Sequence, residues 1–281
     1  MNITFSNIKT LLASLDSTQD MKIDDLTWIE PIGVALLKLH KEANPNIKID
    51  ILGDNNSINY LNTLLFASSN THNTYTPLIQ FRDGQNIDNI TKDVTAKIIH
   101  SASSLSSVDR DDLGKYLQYL ISEIMDNVIS HSKSNIGGFV SAQYYPKKNM
   151  VQVVIVDNGI GLLKGLSNHH NVSNEQEAIQ KAMEKEVTGS NNFSTYNNVQ
   201  KHAGLGLYFL SKIIEYTKGK LTIVSNDSIY ESINKRYTTI KSSFKGTLVA
   251  FEIYEKELDY EFSTLHNMIR DEDKEEGEDV F

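Results

Sequence analysis

Residues 151–162 read VQVVIVDNGIGL, an almost unbroken apolar run that ends in Asp157 and then turns through Gly159-Ile160-Gly161. Its length and β-branched content mark a buried strand. The two glycines mark a tight turn in which the backbone can come close to a flat ring or a phosphate. A carboxylate at the end of such a strand can accept a hydrogen bond from an exocyclic amino group, which would select adenine over guanine. An Asp cap on an ordinary strand-to-loop turn accounts for the same residues.

The flanking segments narrow the choice. Upstream, residues 120–131 read LISEIMDNVISH. Glu123, Asn127 and His131 recur every fourth residue, so each advances by only about 40° around a helix and the three share one slowly drifting face. Leu117, Leu120, Ile121, Ile124 and Val128 fill much of the other side, giving a polar stripe on a helix suited to burial. Carboxylate, amide and imidazole together suit magnesium coordination, water activation and phosphate contact, although an ordinary amphipathic helix can carry the same residues. Downstream, residues 201–210 read KHAGLGLYFL, with Gly204 and Gly206 running into an apolar helix. Backbone N–H groups at a helix start with no side chain in the way form an anion site. The segment lacks the Gly-Lys-Ser/Thr of a Walker loop and the third glycine of a dinucleotide fingerprint.

The order of these pieces is more informative than any one of them. Glu-x3-Asn-x3-His on a helix, Asp-x-Gly-x-Gly about thirty residues on, a polar stretch, Gly-x-Gly opening a helix, and Lys245-Gly246-Thr247 entering a last strand resemble the GHKL ATPase superfamily, which includes gyrase, a heat-shock chaperone, histidine kinases and anti-sigma serine kinases. The resemblance spans roughly residues 111–254. It implies that Asn127 binds the magnesium that bridges the ATP phosphates and that Glu123 orients or deprotonates the attacking nucleophile. Asp157 would hold the adenine amino group above the turn of Gly159 and Gly161. Gly204, Leu205 and Gly206 would lie at the phosphates, Thr247 near Asp157 and a bound water, and His131 near the phosphates or in a purely structural role. Residues 175–201 match the place of a mobile ATP lid.

Within the superfamily, Ser122-Glu123 and Asp126-Asn127 with His131-Ser132 look closest to the anti-sigma serine kinases. The N-terminal half reads as strand, helix and strand over residues 22–29, 33–40 and 47–52, then a helix at 58–66 and a strand at 78–81. It resembles, more loosely, the STAS fold of the antagonists that such kinases phosphorylate. Ile32 precedes Gly33 where that family carries its phosphorylated serine, so docking or sensing is expected here in place of phosphate acceptance. His72 to Pro77 has the spacing of a phosphoacceptor-histidine box but not its long heptad helix.

The expected fold class is α/β (α+β): a C-terminal two-layer α/β sandwich of GHKL type over residues 101–257, a smaller STAS-like domain over 1–100, and an acidic tail over 258–281. Residues 84–113 read as a polar, Ser-rich connection. The net charge of −9 in 281 residues, concentrated in the tail, argues against a nucleic-acid partner, which needs clustered Lys and Arg. The absence of cysteine excludes disulfides and thiolate metal sites. Without an apolar span or a leader pattern, a cytoplasmic protein off the membrane is expected. The resulting expectation is a magnesium-dependent, ATP-binding regulator, a serine/threonine kinase of anti-sigma type acting on a partner protein. The alternatives are an ATP-hydrolysing switch and an ATP-sensing module, and a homodimer stays open.

Overall fold

The computed structural model describes residues 1–66, 74–102, 107–185, 187, 206–258 and 261–275. The chain begins with β1 (Asn2–Ile3), α1 (Ile8–Ser14), β2 (Met21–Leu26), β3 (Trp28–Ile29), α2 (Pro31–Ala43), β4 (Ile49–Gly53) and α3 (Asn55–Phe66). Pro31 opens α2, where a missing N–H removes no helical bond. Ile32, Val34, Ala35, Leu36 and Leu39 are fully buried, so α2 is apolar over most of its circumference and belongs between layers. The short strands pair in parallel, β1 with β3 and β2 with β4.

The chain continues through β5 (Ile79–Phe81), α4 (Ile87–Ser101), α5 (Ser107–His131), β6 (Gly138–Tyr145), β7 (Met150–Asp157), α6 (Gly161–Leu166), α7 (Glu175–Ala182) and α8 (Gly206–Tyr216). It ends with β8 (Lys220–Ser225), β9 (Ser228–Glu231), β10 (Arg236–Thr239), β11 (Thr247–Tyr254) and α9 (Phe262–Glu275). Among the described residues the main sheet has seven strands in the order β10-β9-β8-β11-β7-β6-β5, with every neighbouring pair antiparallel.

Alternation along the central strands assigns each side chain to a layer. Val151, Val153 and Ile155 of β7, with Val249, Phe251 and Ile253 of β11, join the core beneath α4, α5, α8 and α9. Val154 and Val156, with Leu248 and Ala250, join a second core filled by α1, α2 and α3. The run at 151–156 is therefore apolar at every position but Gln152 because both faces of the strand are covered, which is uncommon for an antiparallel sheet. A polar relay lies in the second interface. The fully buried Gln152 donates from Nε2 to Glu30 Oε2 at 3.2 Å and Glu252 Oε1 at 3.1 Å, and Glu30 also accepts the backbone N–H of Phe5 at 2.6 Å. Lys220 reaches Glu252 at 2.9 Å, so the buried carboxylates are hydrogen-bonded or ion-paired, as burial requires.

The stretch read as a polar connection at 84–113 instead carries α4. Asn86 caps it by accepting the N–H of Asn89 at 3.0 Å. Thr91, Val94, Thr95 and Ile98 are buried at helical spacing. β5 and α4, although N-terminal to residue 100, complete the edge of the main sheet and its helical layer. α9 occupies the first part of the acidic C-terminal stretch and anchors there through buried Leu265 and Ile269. No described helix is long and apolar enough to cross a membrane.

Candidate functional site

The polar stripe of α5 meets the end of β7 at a cavity of about 100 Å³. Asn127, His131, Asp157, Gly161, Gly206 and Thr247 line it, with Ile124, Ile155, Leu166 and Val249 as apolar wall. Six positions singled out in sequence are thus brought together from five elements. Asp157 follows Ile155 by two residues along β7 and so points to the same face of the sheet. Register places it opposite Gly138 of β6.

Asp157 is only 1% exposed. Its Oδ1 accepts the N–H of Gly159 at 2.6 Å, and the N–H of Thr247 also donates to the carboxylate. Burial pushes its pKa up to about 7, and these two backbone donors only partly offset that. No cationic side chain among the described residues contributes. Such a carboxylate can still accept from a donor that enters the cavity. His131 is held below the usual imidazole range by burial, which favours the neutral ring at physiological pH.

Glu123 lies outside the cavity lining, one turn back along α5, where α8 begins. A Cβ built on Gly206 would sit 3.1 Å from both Cβ and Oε2 of Glu123 and 3.2 Å from Nδ2 of Asn127. The missing side chain at Gly206 therefore lets the start of α8 close onto the two α5 residues expected to handle phosphate and nucleophile. Gly204 and Leu205, expected at the phosphates, lie outside the described residues. His72, in the phosphoacceptor-like spacing, does as well.

The two glycines after Asp157 serve a purpose that the sequence did not disclose. The sequence pattern predicts that they bring the backbone close to a ligand. A Cβ at Gly159 would lie 2.1 Å from the carbonyl oxygen of Ser132, and one at Gly161, whose φ is +75°, would lie 2.1 Å from Nδ2 of Asn226. The space is taken by the protein itself, and of the two only Gly161 also lines the cavity. Of the expected lid, residues 175–182 form α7, with Glu175, Ala178 and Ile179 buried. This part belongs to the packed layer, and residues 188–201 lie outside the described residues.

Glu175, Ser225 and Asn226 went unnoticed in the sequence. Glu175 Oε2 accepts from Ser225 Oγ at 2.6 Å and from the N–H of Leu163 at 3.1 Å, while Ser225 Oγ accepts the N–H of Leu162 at 2.8 Å. Asn226 donates to Glu175 Oε1 and to the carbonyl of Ile160. The only signals available were a polar Ser-Asn-Asp cluster after an apolar strand and a Ser-Asn-x-x-Glu helix start at residues 173–177.

Comparison with known protein families matches residues 113–254, from α5 to the end of β11, to the histidine kinase-, DNA gyrase B- and HSP90-like ATPases. The match covers half of the chain, and the chain belongs to that family, the GHKL ATPases, whose domain binds ATP. No curated protein matches the chain.

Proposed function

We propose that this protein is a magnesium-dependent serine/threonine kinase of the anti-sigma type, acting on a hydroxyl of a partner protein. The observation that carries the reading is the meeting of Glu123 and Asn127 with Gly206, and of Asp157 with Thr247, around one cavity that Asn127, Asp157, Gly206 and Thr247 line. The residues fit the ligand. A buried carboxylate with backbone donors and no counter-cation among the described residues suits an amino group, and an amide beside a helix start suits a magnesium shared with phosphates.

In this reading Asp157 fixes the adenine end and Asn127 holds the metal. The start of α8 at Gly206 presents backbone N–H groups to the phosphates, with Gly204 and Leu205 in the same role. Bound ATP and magnesium supply the transferable phosphoryl group and its charge neutralisation. Glu123 orients the acceptor hydroxyl and takes its proton. Neutral His131 closes the cavity wall and supplies a polar edge without adding charge. The N-terminal layer, α1 to α3 with their short strands, serves as the docking or regulatory part.

One observation favours a switch as the second reading. α2 packs directly on β6 and β7, and β7 ends in Asp157, so the N-terminal layer rests on the strand that would hold the base. A ligand that prefers one arrangement of that interface would shift it.

The test is incubation of the protein with γ-labelled ATP, magnesium and extract from the source cell, with Glu123→Ala in parallel. Label in a partner that disappears with the variant supports the kinase. Free phosphate alone supports the switch. Binding without either product leaves an ATP-sensing module.

A further inference from the structure

The donors that aim Asp157 come from two separate segments. Gly159 lies in the turn after β7, and Thr247 starts β11. One residue, Asn226, ties those segments together. Its backbone N–H donates to the Gly246 carbonyl at 3.0 Å and its Oδ1 accepts the Gly246 N–H at 3.1 Å, which fixes the residue just before Thr247. Its Nδ2 donates to the carbonyl of Ile160 at 3.3 Å, inside the turn. Gly246 itself sits against Asp157, since a Cβ there would lie 2.1 Å from the Asp157 carbonyl oxygen.

An amide can perform this only if it does not flip, because oxygen and nitrogen exchange donor and acceptor roles. The Gly246 N–H and the Ile160 carbonyl favour one orientation, and Glu175 locks it. Its Oε1 accepts from Asn226 Nδ2, which a flipped amide could not provide. Its Oε2 is held by Ser225 Oγ and the Leu163 N–H. Ser225 in turn receives the Leu162 N–H, so both groups cap the start of α6, where Ile160 offers no side-chain cap. Glu175 is 8% exposed and is the first residue of α7.

Building on the adenine-site reading above, we propose that Glu175, acting through Asn226, is the positioning residue for base recognition: it sets the polarity of the bridge that holds both backbone donors on Asp157. Selectivity for the 6-amino group of the purine then depends on a residue that does not line the cavity. Glu175→Gln replaces one acceptor oxygen with an amide nitrogen. That nitrogen must face either Asn226 Nδ2, which takes the acceptor from the bridge directly, or the Ser225 and Leu163 donors, which releases the anchor that holds residue 175 against Asn226.

The experiment compares calorimetric affinities for ATP and for purine riboside triphosphate, which lacks the 6-amino group, in the full chain. Wild type should prefer ATP by about tenfold or more, the worth of a hydrogen bond to a charged group. Glu175→Gln should bring that ratio close to one while changing the purine riboside affinity little. Ser225→Ala, which removes one of the three donors to Glu175 and is a milder change should Glu175→Gln not fold, should move the ratio in the same direction. An unchanged ratio in the folded variants overturns the proposal, as does an equal loss for both ligands, which marks a merely structural role. A wild type with no preference between the ligands contradicts the role given to Asp157 itself, and the inference falls with it.

Discussion

Asp157 accepts the backbone N–H of Gly159 at 2.6 Å, yet burial without a cationic partner among the described residues holds its pKa at about 7. An amino group donates to the ionised form. Affinity for ATP should therefore weaken as pH falls below about 7, approaching tenfold per pH unit, and Asp157→Asn should flatten the profile. Calorimetry across that range checks it.

Stability of the ligand-free protein should show the same group. The folded pKa lies above the ordinary value of 3.8, so the stabilising contribution is full below that value and is lost as pH rises through about 7. The gap corresponds to on the order of 4 kcal/mol between the two limits. In urea titrations the stability difference between Asp157→Asn and wild type should move in favour of the variant from about pH 5 to about pH 8.

Gly161 has a φ of +75°, and its missing Cβ would lie 2.1 Å from Asn226 Nδ2. Gly161→Ala adds left-handed strain and a collision that the amide cannot absorb without leaving Glu175. It should cost about 2 kcal/mol or more, read as a lower Tm, and should weaken ATP binding as well. Gly165, which has nothing within 4 Å of a built Cβ but lines the cavity, is the control for stability alone, where alanine should be tolerated.

Glu123 adjoins Gly206 and Asn127 but does not line the cavity. Glu123→Gln should leave ATP affinity within about twofold while lowering turnover by roughly 10²–10⁴, the span of general-base effects. Parallel calorimetry and single-turnover assays separate the two effects.

The back of the sheet carries Val154, Val156, Leu248 and Ala250 into a core shared with α1, α2 and α3. A fragment that begins at residue 101 would expose that face and lose β5 and α4. It should aggregate in size-exclusion chromatography, whereas the full chain should not.

Much of this was legible in the sequence because the relevant signals are local. The β7 run, the four-residue spacing on α5 and the glycine that opens α8 each report a chemistry that adjacent residues share. What was missed depends on distant partners. α4 buries threonines alongside its apolar residues, so its periodicity is weak until the sheet supplies the other half of the core. β9 and β10 form a polar hairpin at the sheet edge, with residues 236–239 half-buried to exposed, and carry little hydrophobic signal. Glu175 lies 51 positions from Asn226 and 12 from Leu163, and only the fold shows that its carboxylate serves the glycine turn.

The role proposed for Asp157 is to read adenine in this cavity. The most direct measurement is calorimetric titration of wild type and Asp157→Asn with ATP and GTP in the presence of magnesium. Wild type should bind ATP at least about tenfold more tightly than GTP, and the variant should lose ATP affinity and most of that preference. Equal affinity of wild type for the two nucleotides, or undiminished ATP binding by the variant, would contradict it.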